Sequence, residues 1–264
     1  MVGTLPPRVE VDGLTLVVPS HNESITLESV LRHWWAERPK EVSFRILVVD
    51  DASDDDTPRV LRELETEMAI TSIRSTTRLG FGGALRAGIN RTTTKWVAFT
   101  DADGQYDPRD LPRLLTALSA GNDLVVGLRS PRADSFLRKS VSFGFRSLVF
   151  IFFGFRSKDP TTSLRAGRAD QIRAVADRAR YMNGSFWNEF MIRWDRAGFS
   201  FVEMPVRHYR RRDGQSKVAS GAQIARASVQ HLIALLRIWR ELHRFEMPNS
   251  PAPHSSGQSH ETDR

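Results

Sequence analysis

The chain has 264 residues, of which 40% are hydrophobic and 26% charged, the balance of one large folded domain or of a domain with an appendage. It contains no cysteine, which excludes disulfides, thiolate catalysis and cysteine-bound metals and suits a reducing compartment. A formal charge of +7 and a pI of about 10.3 leave three classes of partner: nucleic acid, an anionic membrane surface, or a phosphate-rich substrate.

Residues 14–18 (Leu-Thr-Leu-Val-Val) form a short apolar run without helical period. They predict a buried strand that ends at Pro19. A helix capped near Asn22 or Ser24 follows, through Leu27, Val30, Leu31 and Trp34. Residues 44–49 predict a second strand, with Asp50 and Asp51 at its C-terminal end. Asp56-Thr57-Pro58 opens the next helix with a polar cap and a first-turn proline. Residues 70–74 give a third strand, and 84–89 a helix after a cluster of glycines. Residues 96–100 give a fourth strand that runs into Asp101. A helix at 112–118 and a strand at 123–127 continue the alternation. Repeated units of this kind predict a mainly parallel sheet with helices on both faces. Ligands of such sheets bind at the carboxyl ends of the strands, where the acidic residues 50, 51, 101 and 103 all fall.

The second half changes character. Residues 138–155 are rich in phenylalanine, with Arg138, Lys139 and Arg146 interspersed. Residues 186–197 predict a helix and 199–206 a strand. Residues 220–243 predict a long helix with Ala225, Val229, Leu232, Leu236 and Trp239 on one stripe. The organisation expected is a flexible N-terminus (1–13), a catalytic domain (14–217), a C-terminal helix (218–246) and a disordered polar tail (247–264). Residues 1–13 lack the apolar core of a signal peptide, and no apolar run approaches the roughly 18 residues of a spanning helix. The expected location is cytoplasmic.

The strongest chemical signal is Thr100-Asp101-Ala102-Asp103-Gly104-Gln105. Two carboxylates one residue apart, after a buried strand, can share one hard cation, and a cation there can neutralise a departing diphosphate. Alone, such a segment is an ordinary polar turn; further carboxylates on the same edge raise the functional reading. Pro19-Ser20-His21-Asn22-Glu23 can set a ring and a carboxylate against a nucleoside, although a proline exit and an asparagine cap would explain part of it. Asp54, Asp55 and Asp56 suit helix capping, which leaves Asp51 as the functional carboxylate of its loop. The Arg78 to Arg86 stretch has glycines at 80, 82 and 83, but Leu85 breaks the dinucleotide-binding pattern. Close backbone packing explains those glycines as well.

Four segments occur in a familiar order: Val-Val-Pro-Ser-His-Asn-Glu, Val-Val-Asp-Asp-Ala-Ser-Asp-Asp-Asp-Thr, Gly-Phe-Gly-Gly-Ala-Leu-Arg-Ala-Gly and Asp-Ala-Asp-Gly-Gln. Together they resemble the family 2 glycosyltransferases of GT-A fold, and within them the polyprenyl-phosphate (dolichol-phosphate mannosyltransferase-like) group. The resemblance spans residues 14–217. It implies an α/β fold, with a GT-A-type mainly parallel sheet flanked by helices and C-terminal amphipathic interface helices. Pro19, Glu23 and Asp51 would hold the base and ribose of a nucleotide-sugar donor, with His21 where the family has tyrosine. Asp101, Asp103 and Gln105 would surround Mg²⁺ or Mn²⁺. Arg129 would contact phosphate, and the segment from Arg210 through Ser216 to Lys217 would be a basic loop over the donor. Asp159-Pro-Thr-Thr-Ser-Leu-Arg165 is similar to the family's Asp-x-x-Ser-Gly-Phe-Arg, with Ser163 for glycine and Leu164 for phenylalanine. Trp187 takes a place often held by glutamine. These departures bear on sugar and acceptor rather than on the type of reaction.

The activity implied is inverting transfer of a hexose, from a donor of the GDP-mannose or UDP-glucose type, to a polyprenyl phosphate. A hydroxyl acceptor is the alternative, and would require a carboxylate base such as Asp103 or Glu189. Six of the fifteen phenylalanines lie in residues 143–155, beside basic residues, as in an interfacial helix at the inner face of an anionic membrane. A core helix or a homodimer contact competes with that reading. Nucleic acid is not expected as a partner, because no RNA- or DNA-binding motif accompanies the basic charge.

Overall fold

The computed structural model describes residues 13–129, 136–210 and 221–244. Ser216, Lys217, residues 1–12 and the expected tail lie outside them.

Seven strands form one sheet: β1 (Leu14–Ser20), β2 (Phe44–Asp50), β3 (Ile70–Arg74), β4 (Trp96–Phe99), β5 (Leu124–Arg129), β6 (Arg165–Arg168) and β7 (Phe201–Val206). Their order across the sheet is β3-β2-β1-β4-β6-β5-β7. β1, β2, β3 and β4 pair in parallel, as do β5 and β7. β6 alone runs antiparallel, between β4 and β5. Strands buried on both faces read as continuous apolar runs rather than alternating ones, and β1 and β2 do so. Pro19 does not end β1: it stays in register with Val49 of β2, beyond the last residue that pairs with β4. It therefore lies at an unpaired edge, where proline is tolerated.

Among the described residues eight α-helices cover the sheet: α1 (Ser24–Ala36), α2 (Thr57–Glu67), α3 (Phe81–Arg91), α4 (Leu111–Ser119), α5 (Phe136–Phe153), α6 (Ala169–Ala176), α7 (Phe186–Arg196) and α8 (Gly221–Arg244). Leu27, Leu31 and Trp34 of α1, Leu61 and Leu64 of α2, and Leu114 and Leu118 of α4 fill one face. The other face takes Leu85 and Ile89 of α3, Ile172 of α6, Phe190 and Trp194 of α7, Phe153 of α5, and Leu235 and Ile238 of α8. The inner edges of α5 and α8 thus belong to the main core. Arg193 of α7 bolts α8 down through two hydrogen bonds to Glu241, at 3.0 and 2.9 Å.

Two capping expectations are corrected. Asn22 does not cap α1; it takes a left-handed conformation (φ 55°), and its backbone N–H donates to Ser53 Oγ at 3.0 Å. Its side-chain Oδ1 accepts from the Asp54 N–H at 3.0 Å, which locks the loops after β1 and β2 together. Asp55 serves both helices instead, accepting from the N–H of Ser24 at 3.1 Å and of Thr57 at 2.9 Å. Partial burial works against its charge, but those bonds prevail and hold its pKa down at about 2.

α3 lies unusually close to the sheet because Gly88 faces it. A Cβ there would be driven into Val17 of β1 and would meet Val49 of β2 at 3.1 Å. Gly88→Ala is accordingly expected to lower stability by about 1–3 kcal/mol, read as a lower denaturant midpoint with an unchanged slope.

Candidate active site

The parallel order β2-β1-β4 sets three strand ends side by side, and the loops that leave them carry the chemistry. A groove of about 260 Å³ is lined by Pro19, His21, Glu23, Asp51, Arg78, Phe81, Asp101 and Asp103. Six residues expected from the sequence therefore meet in one place. Arg78 and Phe81 were not anticipated; they come from the glycine-containing stretch, whose contribution is a groove wall.

Three N–H groups of that stretch are already engaged by protein side chains. Leu79 and Gly80 donate to the two Asp51 carboxylate oxygens at 2.6 and 2.9 Å, and Gly83 donates to Asn183 Oδ1 at 2.8 Å. Gly80 has φ 73°, a conformation open to glycine. Asp51 thus shapes the groove as well as lining it, with Arg78 Nη1 at 3.3 Å from its Oδ2. His21 donates from Nδ1 to the Asp51 carbonyl at 2.9 Å, since a carbonyl can only accept. Its Nε2 is left as an acceptor.

The Asp101-Ala102-Asp103 turn is tied to the α1 start. Thr26 Oγ1 donates to the Ala102 carbonyl at 3.2 Å and reaches Glu23 Oε2 at 3.2 Å. Gly104, at φ 72°, lets the chain turn back so that the Gln105 N–H donates to Asp103 Oδ1 at 3.1 Å. Burial raises the pKa of Asp101 to about 7, and the charge of Asp103 adds to the rise. A divalent cation would relieve both causes at once. The donor set is hard oxygen, two carboxylates on one turn opening to a groove. This suits Mg²⁺ or Mn²⁺ that takes its remaining ligands from phosphate and water. Among the described residues no group of three or more acidic, histidine or cysteine side chains is arranged to hold a metal.

Gln105 lies beside this turn. Its amide nitrogen donates to the Tyr209 carbonyl at 2.9 Å, and the Tyr209 N–H donates back to its carbonyl at 2.8 Å. Tyr106, unremarked in the sequence, is buried and joins three segments. It pairs with His208 across a β-bridge, its hydroxyl lies 3.1 Å from Thr162 Oγ1, and it accepts from the Ser163 N–H at 3.0 Å. Asp107 and Asp110 grip Arg207 and Tyr209. The root of the basic segment is thereby fixed, with Arg210 exposed at its start. Ser216 and Lys217 fall outside the described residues.

Arg129 ends β5 in a bidentate pair with Asp159, at 2.7 and 2.8 Å, and also donates to Thr161 Oγ1 at 2.8 Å. Two of its nitrogens are thus occupied by protein, and a phosphate would have to approach the remaining Nη1. Behind it Arg165 is fully buried, over the Trp187 ring at 3.7 Å, with Nη2 donating to the Pro160 carbonyl at 3.2 Å. Burial pulls its pKa down to about 9, against the opposing charges of Tyr106, Asp159 and Asp101. It is therefore still a cation at neutral pH, and the carboxylates near it gain from that.

Glu189 is corrected. It is fully buried and accepts from the N–H groups of Arg180, Tyr181 and Met182 at 3.0, 2.6 and 2.8 Å, and from Arg193 Nε at 2.9 Å. A carboxylate held by four donors and sealed from solvent cannot take a proton from an acceptor.

The sequence profile described as glycosyl transferase family 2 matches residues 15–179. The chain belongs to glycosyltransferase family 2. A family member from Mycobacterium tuberculosis, named as an uncharacterized glycosyltransferase, is 32% identical over 87% of this chain and 97% of its own. An undecaprenyl-phosphate mannosyltransferase of Micrococcus luteus is 32% identical over 78% of this chain and 87% of its own. An undecaprenyl-phosphate 4-deoxy-4-formamido-L-arabinose transferase of Klebsiella pneumoniae is 32% identical over 81% of this chain, which spans 64% of that protein. Among solved structures, the glucosyl-3-phosphoglycerate synthase of Mycobacterium tuberculosis in complex with Mg²⁺ and UDP has the same fold. Its TM-score is 0.64 at 19% identity, over 90% of this chain and 81% of that one. The GT-A architecture and the resemblance to the polyprenyl-phosphate group of family 2 both hold.

A cation held at this turn would have its binding linked to pH. Below about pH 7 Asp101 holds a proton that an incoming cation must displace. Mn²⁺ affinity is expected to climb toward about pH 7 and level off above it. The metal-free protein is expected to lose stability as pH rises from about 4 to about 7, because the folded state binds this proton more tightly than the unfolded chain does. Mn²⁺ titrations and melting temperatures across that range check both, and a pH-independent affinity would contradict the assignment.

Proposed function

We propose that this enzyme moves a hexose, with inversion at the anomeric carbon, from a nucleoside diphosphate sugar of the GDP-mannose or UDP-glucose type to a polyprenyl phosphate at the inner face of a membrane. The state of Glu189 carries the choice of acceptor. A hydroxyl acceptor must lose a proton as it attacks; of the two candidate bases, Glu189 is buried and saturated, and Asp103 is given to the cation in this reading. A phosphate monoester is already an anion at neutral pH and needs no strong base. The polyprenyl-phosphate acceptors named for two relatives support the same choice.

The groove at the ends of β1, β2 and β4 receives the donor, with Pro19, His21, Glu23 and Asp51 around the nucleoside. Asp101 and Asp103 hold the cation, with Gln105 beside them. When bound, the cation neutralises the diphosphate as the bond to the sugar breaks. An acceptor phosphate oxygen forms the new bond at the anomeric carbon, and the nucleoside diphosphate leaves from the opposite face. Arg129, with Arg210 and the segment that runs to Lys217, supplies positive charge to the phosphates.

An apolar slot of about 400 Å³ between α5 and α8 leads to this point. Phe145, Leu148, Leu232 and Leu235 line it, and it ends at Pro160 and Thr161, where Thr161 touches Arg129. Its shape and polarity suit the first isoprene units of the acceptor. Leu148, Phe150 and Ile151 on α5 and Val229, Ile233, Leu236 and Trp239 on α8 are exposed, which supports peripheral attachment to lipid. No helix among the described residues is long and apolar enough to cross a membrane.

The test is a panel of nucleotide sugars, with Mg²⁺ or Mn²⁺, incubated with a short-chain polyprenyl phosphate and with the matching polyprenol. Product is expected with the phosphate alone, and Asp103→Ala should cut turnover by at least about a hundredfold. Equal transfer to the alcohol, or full activity in that variant, would overturn the reading.

A further inference from the structure

The flank of α5 away from the slot carries a second cavity. It is a cleft of about 670 Å³ between α5, the 155–160 segment and the start of β7, within the roughly 300–1,000 Å³ typical of ligand sites. Phe145, Val149 and Phe155 form its apolar interior, and Arg146, Arg156 and Lys158 stand around it. Arg156 lies over the Phe150 ring at 4.1 Å, and Arg146 Nη1 donates to the Lys158 carbonyl at 3.0 Å, so two of the cations are held in place by the cleft itself. Among the described residues Glu203 is the one carboxylate in the lining. It is engaged by Ser157 Oγ at 2.6 Å and by the N–H groups of Lys158 and Asp159 at 2.8 and 3.0 Å. Three cations thus face one carboxylate that the loop already holds. Phe150 and Ile151, 41% and 73% exposed, stand beside the cleft on the outer side of α5.

An apolar interior under a cationic rim is complementary to an anion with a hydrocarbon tail. Inorganic phosphate would leave the interior empty, and a nucleotide would put polar base edges against phenylalanine. We propose that this cleft binds one anionic phospholipid, its acyl chain along Phe145, Val149 and Phe155 and its headgroup phosphate between Arg156 and Lys158. The site is distinct from the acceptor slot, although Phe145, Arg146, Pro160 and Asn188 are common to both. A lipid in the cleft therefore supports the wall of the slot from behind, and its binding requires no glycosyl transfer.

The experiment titrates the full chain with dihexanoyl phosphatidylglycerol below its micellar concentration, by calorimetry. Saturable one-to-one binding is expected, with dihexanoyl phosphatidylcholine and glycerol phosphate each far weaker. The double variant Arg156→Glu, Lys158→Glu changes two exposed residues and is expected to fold. It should lose affinity by on the order of tenfold or more, while transfer to a water-soluble short-chain acceptor stays unchanged. Equal binding of the two phospholipids, undiminished binding by the variant, or binding to phosphatidylglycerol vesicles without binding to the monomer would overturn the proposal. So would one-for-one displacement of the lipid by a short-chain polyprenyl phosphate, which would make the cleft part of the slot. Failure of the transferase panel would leave these outcomes as they stand.

Discussion

Two carboxylates one residue apart at the buried end of a strand cannot both be ionised without a nearby positive charge, and much of the molecule is arranged around that constraint. Asp101 sits where burial and the neighbouring Asp103 oppose its charge. Arg165, buried over Trp187, and Arg129, paired to Asp159, provide partial compensation from the β5–β6 side. The remaining deficit faces the groove, where a cation and a diphosphate can enter together. With the compensation behind the site and the deficit in front, the groove suits the metal-bound diphosphate proposed for it.

The second half of the chain completes this arrangement by anchoring what surrounds it. Tyr106 ties the Asp101–Asp103 turn to Thr162 and Ser163, and Asp107 and Asp110 fix the stretch from Arg207 to Tyr209. The Glu189–Arg193–Glu241 chain joins α7 to α8. Removing Arg193 alone would leave the charge of Glu189 buried without its cationic partner, the costly way to break such a set. Glu189 therefore ties α7 to residues 180–182 and, through Arg193, to α8.

The parallel half was legible because its strands are apolar runs that give way to polar and acidic residues at Ser20, Asp50 and Asp101, and the strand-end rule then places their loops together. β6 and α6 were not. Residues 165–168 are Arg-Ala-Gly-Arg, short and without an apolar run, because this strand is squeezed between β4 and β5. A Cβ at Gly167 would lie 2.8 Å from the Asp123 carbonyl. Its position is decided by partners distant in sequence, which local pattern does not carry. Hydrogen-bond commitments were equally hidden. Asp55 rather than Asp56 caps α2, Asn22 ties two loops, and Arg129 is already held by Asp159. The departure at Trp187 has a physical counterpart: the indole packs against the Arg165 guanidinium, which no single-position reading foretells.

On the proposed reading the Asp101-Ala102-Asp103 turn holds the cation that carries the donor diphosphate. Diffraction from crystals grown with Mn²⁺ and a nucleoside diphosphate, recorded at the manganese edge, tests this most directly. One anomalous peak is expected between the turn and the diphosphate, with a carboxylate oxygen of Asp101 or Asp103 at about 2.0–2.2 Å, the range of a hard divalent ion bound by oxygen. A bound diphosphate with manganese elsewhere, or with no peak at the turn, would contradict it.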